Sequence, residues 1–232
     1  MTIRTVAETG STNADMLLLA RAGADEGLWL RAERQTAGRG RHGRAWTSRP
    51  GNLYASTLLR LRPSDPPAAT LAFVAAVALH EAVGVFGLAA QLKWPNDLLV
   101  AGAKLSGILL ERSDDAVVAG IGVNLANHPD LPDRPATSLA AQGASVAPDA
   151  FLDVLADGFA RWLARWRGEG LAAVRAAWLA AAHPMGTALS VRLPDGTAHE
   201  GLFGGLDADG ALILRLASGQ RHVIHAADVF LL

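Results

Sequence analysis

The chain of 232 residues reads as an α+β protein. Residues 1–184 are expected to form a larger unit with a mixed or antiparallel central sheet and flanking helices, and residues 185–232 a small β-barrel. Three observations predict this. Half of the residues are apolar and 19% are charged, enough to fill a real core. Long helical patterns interrupt a series of strand-like runs over the first 184 residues. After His183-Pro184 the pattern changes to short β-like runs with turn signals between them.

A short N-terminal strand leads to Thr12-x-x-Asp15, which opens the apolar run Met16 to Leu19 as a capping box and predicts a helix to about Ala22. Residues 27–34 read as a strand, 35–51 as a polar, Gly-rich segment, and 52–61 as a clear strand. Pro66-Pro67 starts a long apolar helix to about Phe86; its most apolar stretch is shorter than a membrane span and carries His80 and Glu81 near its end. Strands are expected at 91–94, 97–100, 105–111 and 116–125, with turns at Ala101-Gly102 and Asp114-Asp115. Phe151, Leu155, Phe159, Trp162 and Trp166 recur at helical steps until Gly168 and Gly170 stop them; Leu171, Val174 and Trp178 continue in a second helix. The barrel runs are 188–193, 199–203, 211–216 and 221–224.

A formal net charge of −1 speaks against nucleic acid or an anionic membrane as the main partner. With no cysteine, disulfides, thiolate metal sites and cysteine nucleophiles are excluded. The opening MTIRTVAETGSTN has neither an apolar signal core nor a transit-peptide composition, so a cytoplasmic location is expected.

Only two lysines stand against nineteen arginines, in Lys93-Trp-Pro-Asn-Asp97 and Lys104-Leu-Ser-Gly-Ile108. A compact ammonium kept at two neighbouring places points to a site where point charges meet a carboxylate or phosphate. In Gln35-Thr-Ala-Gly38-Arg39-Gly40-Arg41-His42-Gly43-Arg44-Ala-Trp46, glycines let successive N–H groups face an anion and arginines add forked donors. The segment fits neither the Walker nor the Rossmann spacing, and an RGG-like nucleic-acid segment or a solvated basic loop stays open. Trp46 offers a π-platform or a core side chain. Ser11-Thr12-Asn13 supplies more polar groups than one helix cap needs. Gly120-Ile-Gly122-Val-Asn124 ends an apolar strand with close-approach glycines and an amide.

In this order, the pieces Gly10-Ser-Thr-Asn13, loop 38–43 with Arg44 and Trp46, Lys93 to Asp97, Lys104-Leu-Ser-Gly-Ile-Leu-Leu-Glu111 and Gly120 to Asn124 resemble the biotin–protein ligase family over roughly residues 9–126. The resemblance implies the class II synthetase-like catalytic fold of biotin and lipoate ligases, with an SH3-like C-terminal domain and without the family's optional DNA-binding domain. It implies biotinyl-5′-AMP synthesis from biotin and ATP, then transfer to a lysine of a biotin carboxyl carrier protein. Lys104, Arg39, Arg41 and Lys93 become the catalytic candidates. Biotin falls to Ser11, Thr12, Asn13, Gln35, Gly38, Arg39, Gly40, Arg41, Lys104, Gly107, Ile108 and Gly120. The nucleotide falls to Arg41, Arg44, Trp46, Lys93, Asn96 and Asn124, with Asp97 as a candidate for assisting Mg²⁺. His42 departs from the family loop, where arginine is common. The alternative is a lipoate–protein ligase of the same fold; a homodimer stays open.

Overall fold

The computed structural model of the chain describes residues 2–131 and 134–232. The larger sheet is built from β1 (Thr2–Thr9), β2 (Leu28–Gln35), β3 (Leu53–Arg60), β4 (Gln91–Lys93), β5 (Asp97–Val100), β6 (Ala103–Ser113) and β7 (Ala116–Val123). Their order is β1-β2-β3-β7-β6-β5-β4. β1 lies parallel to β2 and the other neighbours are antiparallel, so the sheet is mixed.

The two faces of this sheet carry different loads because side chains alternate along each strand. One face buries Leu53, Ile108, Ile121 and Val123 in the main core, together with the apolar side chains of α2 (Leu71–Val85) and α3 (Pro148–Glu169). Apolar burial is the dominant favourable term here. On the other face, Met16 and Ala20 of α1 (Thr12–Arg21) pack on Leu28, Leu30, Leu58 and Val118. The rest of that second face stays uncovered by helix, and the cavity described below lies there.

Several boundaries differ from the sequence expectation. The cap of α1 is Ser11, whose Oγ accepts from the Ala14 N–H at 3.5 Å, and Thr12 is thereby released for other bonds. A single 3₁₀ turn at Ala68–Thr70 precedes α2, with both the N–H and the hydroxyl of Thr70 donating to the Pro67 carbonyl. Gly168 does not stop α3; the break before α4 (Leu171–Ala181) comes at Gly170, whose φ of 76° is in the left-handed region that favours glycine.

The second sheet is antiparallel, with strands β8 (Ala188–Arg192), β9 (Ala198–Leu206), β10 (Leu212–Arg215), β11 (Arg221–Ile224) and β12 (Asp228–Leu231) in the order β11-β10-β9-β8-β12. β12 has no counterpart among the expected runs. The two sheets share one core: Leu189, Phe203, Leu206 and Val229 join Phe73, Trp94 and Trp178 in it. Trp94 Nε1 also donates to the Gly210 carbonyl at 3.1 Å. Gly210 has a φ of 87°, and a Cβ there would run into the Phe73 ring, so the turn before β10 needs glycine twice over.

Candidate active site

Antiparallel pairing sets residues of successive strands side by side on one face. One such row runs Tyr54–Gly122–Gly107–Asp97–Lys93, and the next includes Ser56–Gly120–Leu109. These rows floor a cavity of about 340 Å³. Three glycines in the floor leave room for atoms to approach the backbone. All three are closely approached: a Cβ on Gly122 would lie 2.5 Å from Trp46 Cε2, one on Gly107 3.1 Å from Trp46 Cζ3, and one on Gly120 would collide with the Asn13 carboxamide.

The wall at the Gly120 end is a chain of hydrogen bonds. Asn13 Nδ2 donates to Glu111 at 2.8 Å and to the Leu109 carbonyl at 3.3 Å. Ser56 Oγ lies 2.6 Å from Asn13 Oδ1 and 2.7 Å from Thr12 Oγ1. Gln35 Oε1 accepts from the Thr12 N–H at 2.8 Å and from its hydroxyl at 3.1 Å, and Gln35 Nε2 lies 3.4 Å from Ser48 Oγ. Ser11, Thr12 and Asn13 are buried at the start of α1, so the wall is fixed before any ligand arrives.

The opposite end is cationic. Asp97 is buried, and Lys104 reaches its Oδ1 at 2.5 Å while Lys93 and Arg134 share its Oδ2 at 3.4 and 3.6 Å. Burial pushes the Asp97 carboxyl up, but Lys104 and Lys93 outweigh it and hold it below the usual carboxylate range. Burial draws the Lys104 ammonium down despite Asp97, because one carboxylate is shared among several cations. Lys104 Nζ also stands 5.7 Å from the Trp46 ring centre.

The Gly-rich segment is a short hairpin laid across this cavity. Trp46 N–H bonds the Gly38 carbonyl at 2.9 Å and Gly40 N–H bonds the Arg44 carbonyl at 2.7 Å, around a turn where His42 takes a φ of 55°. Each arginine ties it down. Arg39 reaches Glu111 at 3.6 Å, Arg41 reaches Asn96 Oδ1 at 3.3 Å, and Arg44 pairs with Asp228. Burial lowers the Arg41 pKa.

The second sheet completes the site. Arg41 donates to the Ala227 carbonyl at 3.4 Å and Lys93 to the Val229 carbonyl at 2.9 Å, on either side of the Asp228 carboxylate. Three candidate cations are thus held by three successive residues at the start of β12. Segment 134–137 forms another border. Lys104 N–H bonds the Pro135 carbonyl and Thr137 N–H bonds the Lys104 carbonyl, both at 2.9 Å.

The structure brings every sequence-predicted site residue to the cavity lining except Gly38. Gly38 sits beneath the hairpin, where a Cβ would come within 2.8 Å of the Trp46 carbonyl oxygen. Asn96 and Asn124 line the cavity, yet their amides fasten backbone: Asn96 Nδ2 to the Ile108 carbonyl at 2.8 Å and Asn124 Nδ2 to the Thr137 carbonyl at 3.0 Å. Asp97 does not fit a resident Mg²⁺, because both oxygens already face cations and, among the described residues, no group of three or more His, Cys, Asp or Glu is placed to hold a metal. Sequence reasoning missed Ser56, Tyr54, Arg134 and Asp228. Ser56 and Tyr54 lie on the strand face shared with Gly120 and Gly122, a placement set by the long-range pairing of β3 with β7; Arg134 and Asp228 lie in segments without a motif.

Residues 9–126 match the biotin/lipoate A/B protein ligase family, and residues 189–232 match the biotin protein ligase C-terminal domain. The biotin–[acetyl-CoA-carboxylase] ligase of Paracoccus denitrificans is 45% identical over 239 residues, covering 97% of this chain and 98% of that protein. The structure of an Aquifex aeolicus biotin protein ligase in complex with biotin and ATP superposes with a TM-score of 0.87 at 25% identity, covering 99% of both chains. A Leishmania major biotin protein ligase in complex with biotinyl-5-AMP gives a TM-score of 0.69 at 28% identity, covering 97% of this chain and 99% of that one.

Proposed function

The chain belongs to the biotin/lipoate A/B protein ligase family, and from that premise we infer that it is an ATP-dependent biotin–protein ligase. In the first step a carboxylate oxygen of biotin attacks the α-phosphorus of ATP, the bond to the β-phosphate oxygen breaks, and pyrophosphate leaves. In the second step the neutral amine of a carrier lysine attacks the acyl carbon, the bond to the phosphate oxygen breaks with AMP leaving, and the amine gives up a proton. The acceptor is a biotin carboxyl carrier protein.

The observation that carries this reading is the polarity of the cavity, hydroxyl and amide groups at one end and crowded cations at the other. Biotin has the same polarity: a ureido group at the bicycle and a carboxylate at the tail. Thr12, Asn13 and Gln35 take the ureido end, with Ser11 setting the helix that presents them. Gly107, Ile108 and Gly120 underlie the bicycle. Lys104 meets the carboxylate and the oxygen that becomes the acyl-phosphate bridge. Arg39 and Arg41 flank that junction, and Lys93, Arg41 and Arg44 receive the phosphates. Such prepositioned charges stabilise the transition state without reorganising as it forms. Trp46 offers its face to the adenine, and its buried Nε1 has no hydrogen-bond partner among the described residues. Asn124 holds the neighbouring loop for the nucleotide, and Gly38 and Gly40 shape the hairpin. Mg²⁺ arrives on the nucleotide phosphates. The hairpin opens to admit substrates and closes to keep water from the mixed anhydride.

ATP–pyrophosphate exchange tests the reading: exchange with biotin and none with lipoate is expected, and exchange with lipoate alone would overturn it.

A further inference from the structure

We propose that Ser56 is a positioning residue for biotin recognition: its buried hydroxyl turns the Thr12 hydrogen into the wall, so that Thr12 Oγ1 meets the ligand only as an acceptor and selects for a ureido N–H. This role rests on the biotin ligase reading above. Ser56 is fully buried, whereas Thr12, Asn13 and Gln35 line the cavity in front of it. It therefore acts through its neighbours and not by touching the substrate.

The hydrogens of this wall can be counted. Asn13 Nδ2 spends its two on the Glu111 carboxylate and the Leu109 carbonyl, so its Oδ1 is the end that faces Ser56. That oxygen brings no hydrogen, and Ser56 fills the 2.6 Å contact with its own. The second contact of Ser56, 2.7 Å to Thr12 Oγ1, then draws on the Thr12 hydrogen. Gln35 Oε1 draws on the same hydrogen at 3.1 Å and already accepts from the Thr12 N–H at 2.8 Å. Three oxygen–oxygen contacts thus share two hydroxyl hydrogens, and neither hydrogen is left for a ligand. Thr12 Oγ1 shows the cavity its lone pairs alone. A ureido N–H satisfies them, whereas an oxygen at the same place sets acceptor against acceptor. Without the Ser56 hydroxyl, the Thr12 hydrogen keeps only the longer contact to Gln35. The Thr12 hydroxyl can then turn, accepting from an N–H or donating to an oxygen.

The test titrates biotin and its two cyclic carbamate analogues, each with one ureido N–H replaced by oxygen, into the full-length chain and into Ser56→Ala and Ser56→Cys. The cysteine variant fills the same space with a weak hydrogen-bond partner. The unaltered chain should bind at least one carbamate roughly 10- to 100-fold more weakly than biotin. In both variants that ratio narrows to within about fivefold, because the freed Thr12 hydroxyl serves either ligand. Carbamates bound by the unaltered chain as tightly as biotin overturn the proposal. So does a ratio that survives in either folded variant. Equal losses for all three ligands with a lower melting temperature are one such case, and would make Ser56 a purely structural residue. Absence of biotin binding by the unaltered chain overturns the functional reading itself, and the proposal with it.

Discussion

Replacing Gly120 with alanine tests whether the polar wall is a single fitted unit. The added Cβ would lie 2.8 Å from Asn13 Cγ and 2.9 Å from its Nδ2, well inside the roughly 4 Å of ordinary contact. Asn13 has no room to retreat, because Ser56 Oγ at 2.6 Å and Glu111 at 2.8 Å hold its two ends. Turning aside forfeits the neutral bond, about 1 kcal/mol, and the one to the carboxylate, about 1.5–3 kcal/mol. That loss of about 2.5–4 kcal/mol weighs on the stability of the wall, and with Asn13 turned away from the ureido group biotin affinity should drop on the order of 100-fold. Calorimetric titration with biotin measures this, beside a melt of the ligand-free protein. Gly122→Ala is the control: its Cβ meets Trp46 at 2.5 Å, and its expected effect is on adenylate retention with biotin affinity within about tenfold. Native biotin affinity in Gly120→Ala, or equal losses in both variants, would refute the division of the floor.

Lys104→Arg should lower single-turnover adenylation about 10²–10³-fold with biotin saturating, since a guanidinium cannot place one compact charge at the bridging oxygen; near-native adenylation would remove Lys104 from the chemistry. Asp228→Ala removes the ion pair with Arg44 and loosens the Arg41 anchorage, so KM for ATP should rise several-fold while biotin titrates as before; an unaltered KM would show that the second sheet only packs against the first. Asp97→Asn leaves buried cations without their carboxylate and should cost about 3–5 kcal/mol at neutral pH. Because the folded-state pKa of Asp97 lies below the ordinary value of about 3.9, its contribution is full above that value and is lost as pH falls through the folded one. Stability of the parent should therefore fall more steeply below about pH 4 than that of Asp97→Asn, and parallel curves in urea unfolding would contradict this.

Legibility in the sequence followed locality. Strands 53–60, 97–100 and 116–123 announced themselves by apolar runs between turn residues, and the break at Gly170 by its freedom to take a positive φ. The motif residues were readable because glycine, lysine and the Ser-Thr-Asn run are chemically unusual choices in an Ala- and Arg-rich chain. What remained hidden depends on pairing across long separations. Ser56 enters the wall only because β3 lies beside β7, and Asp228 only because β12 folds back onto the hairpin. β12 itself, four residues long, carries too little alternation to be distinguished from a frayed terminus. Asp97 is ambiguous for a related reason: a carboxylate beside two lysines in sequence reads equally as metal ligand or ion-pair partner, and the contacts with Lys93 and Lys104 favour the second.

Five of the six tryptophans, Trp29, Trp94, Trp162, Trp166 and Trp178, belong to the core cluster that joins the two sheets. Trp46 alone rides on the hairpin, over bare glycine backbone and beside the Lys104 ammonium. An indole in that position is an optical probe built into the chain. Its emission depends on a nearby cation and on solvent, both of which change when the hairpin lifts or a nucleotide base slides against the ring. The other five indoles are buried in the core, although Trp94 also lines the cavity, so their contribution is read from the variant that lacks Trp46. The proposed opening and closing of the hairpin can therefore be tested in stopped flow without any label, with Trp46→Phe supplying the background of the other five indoles.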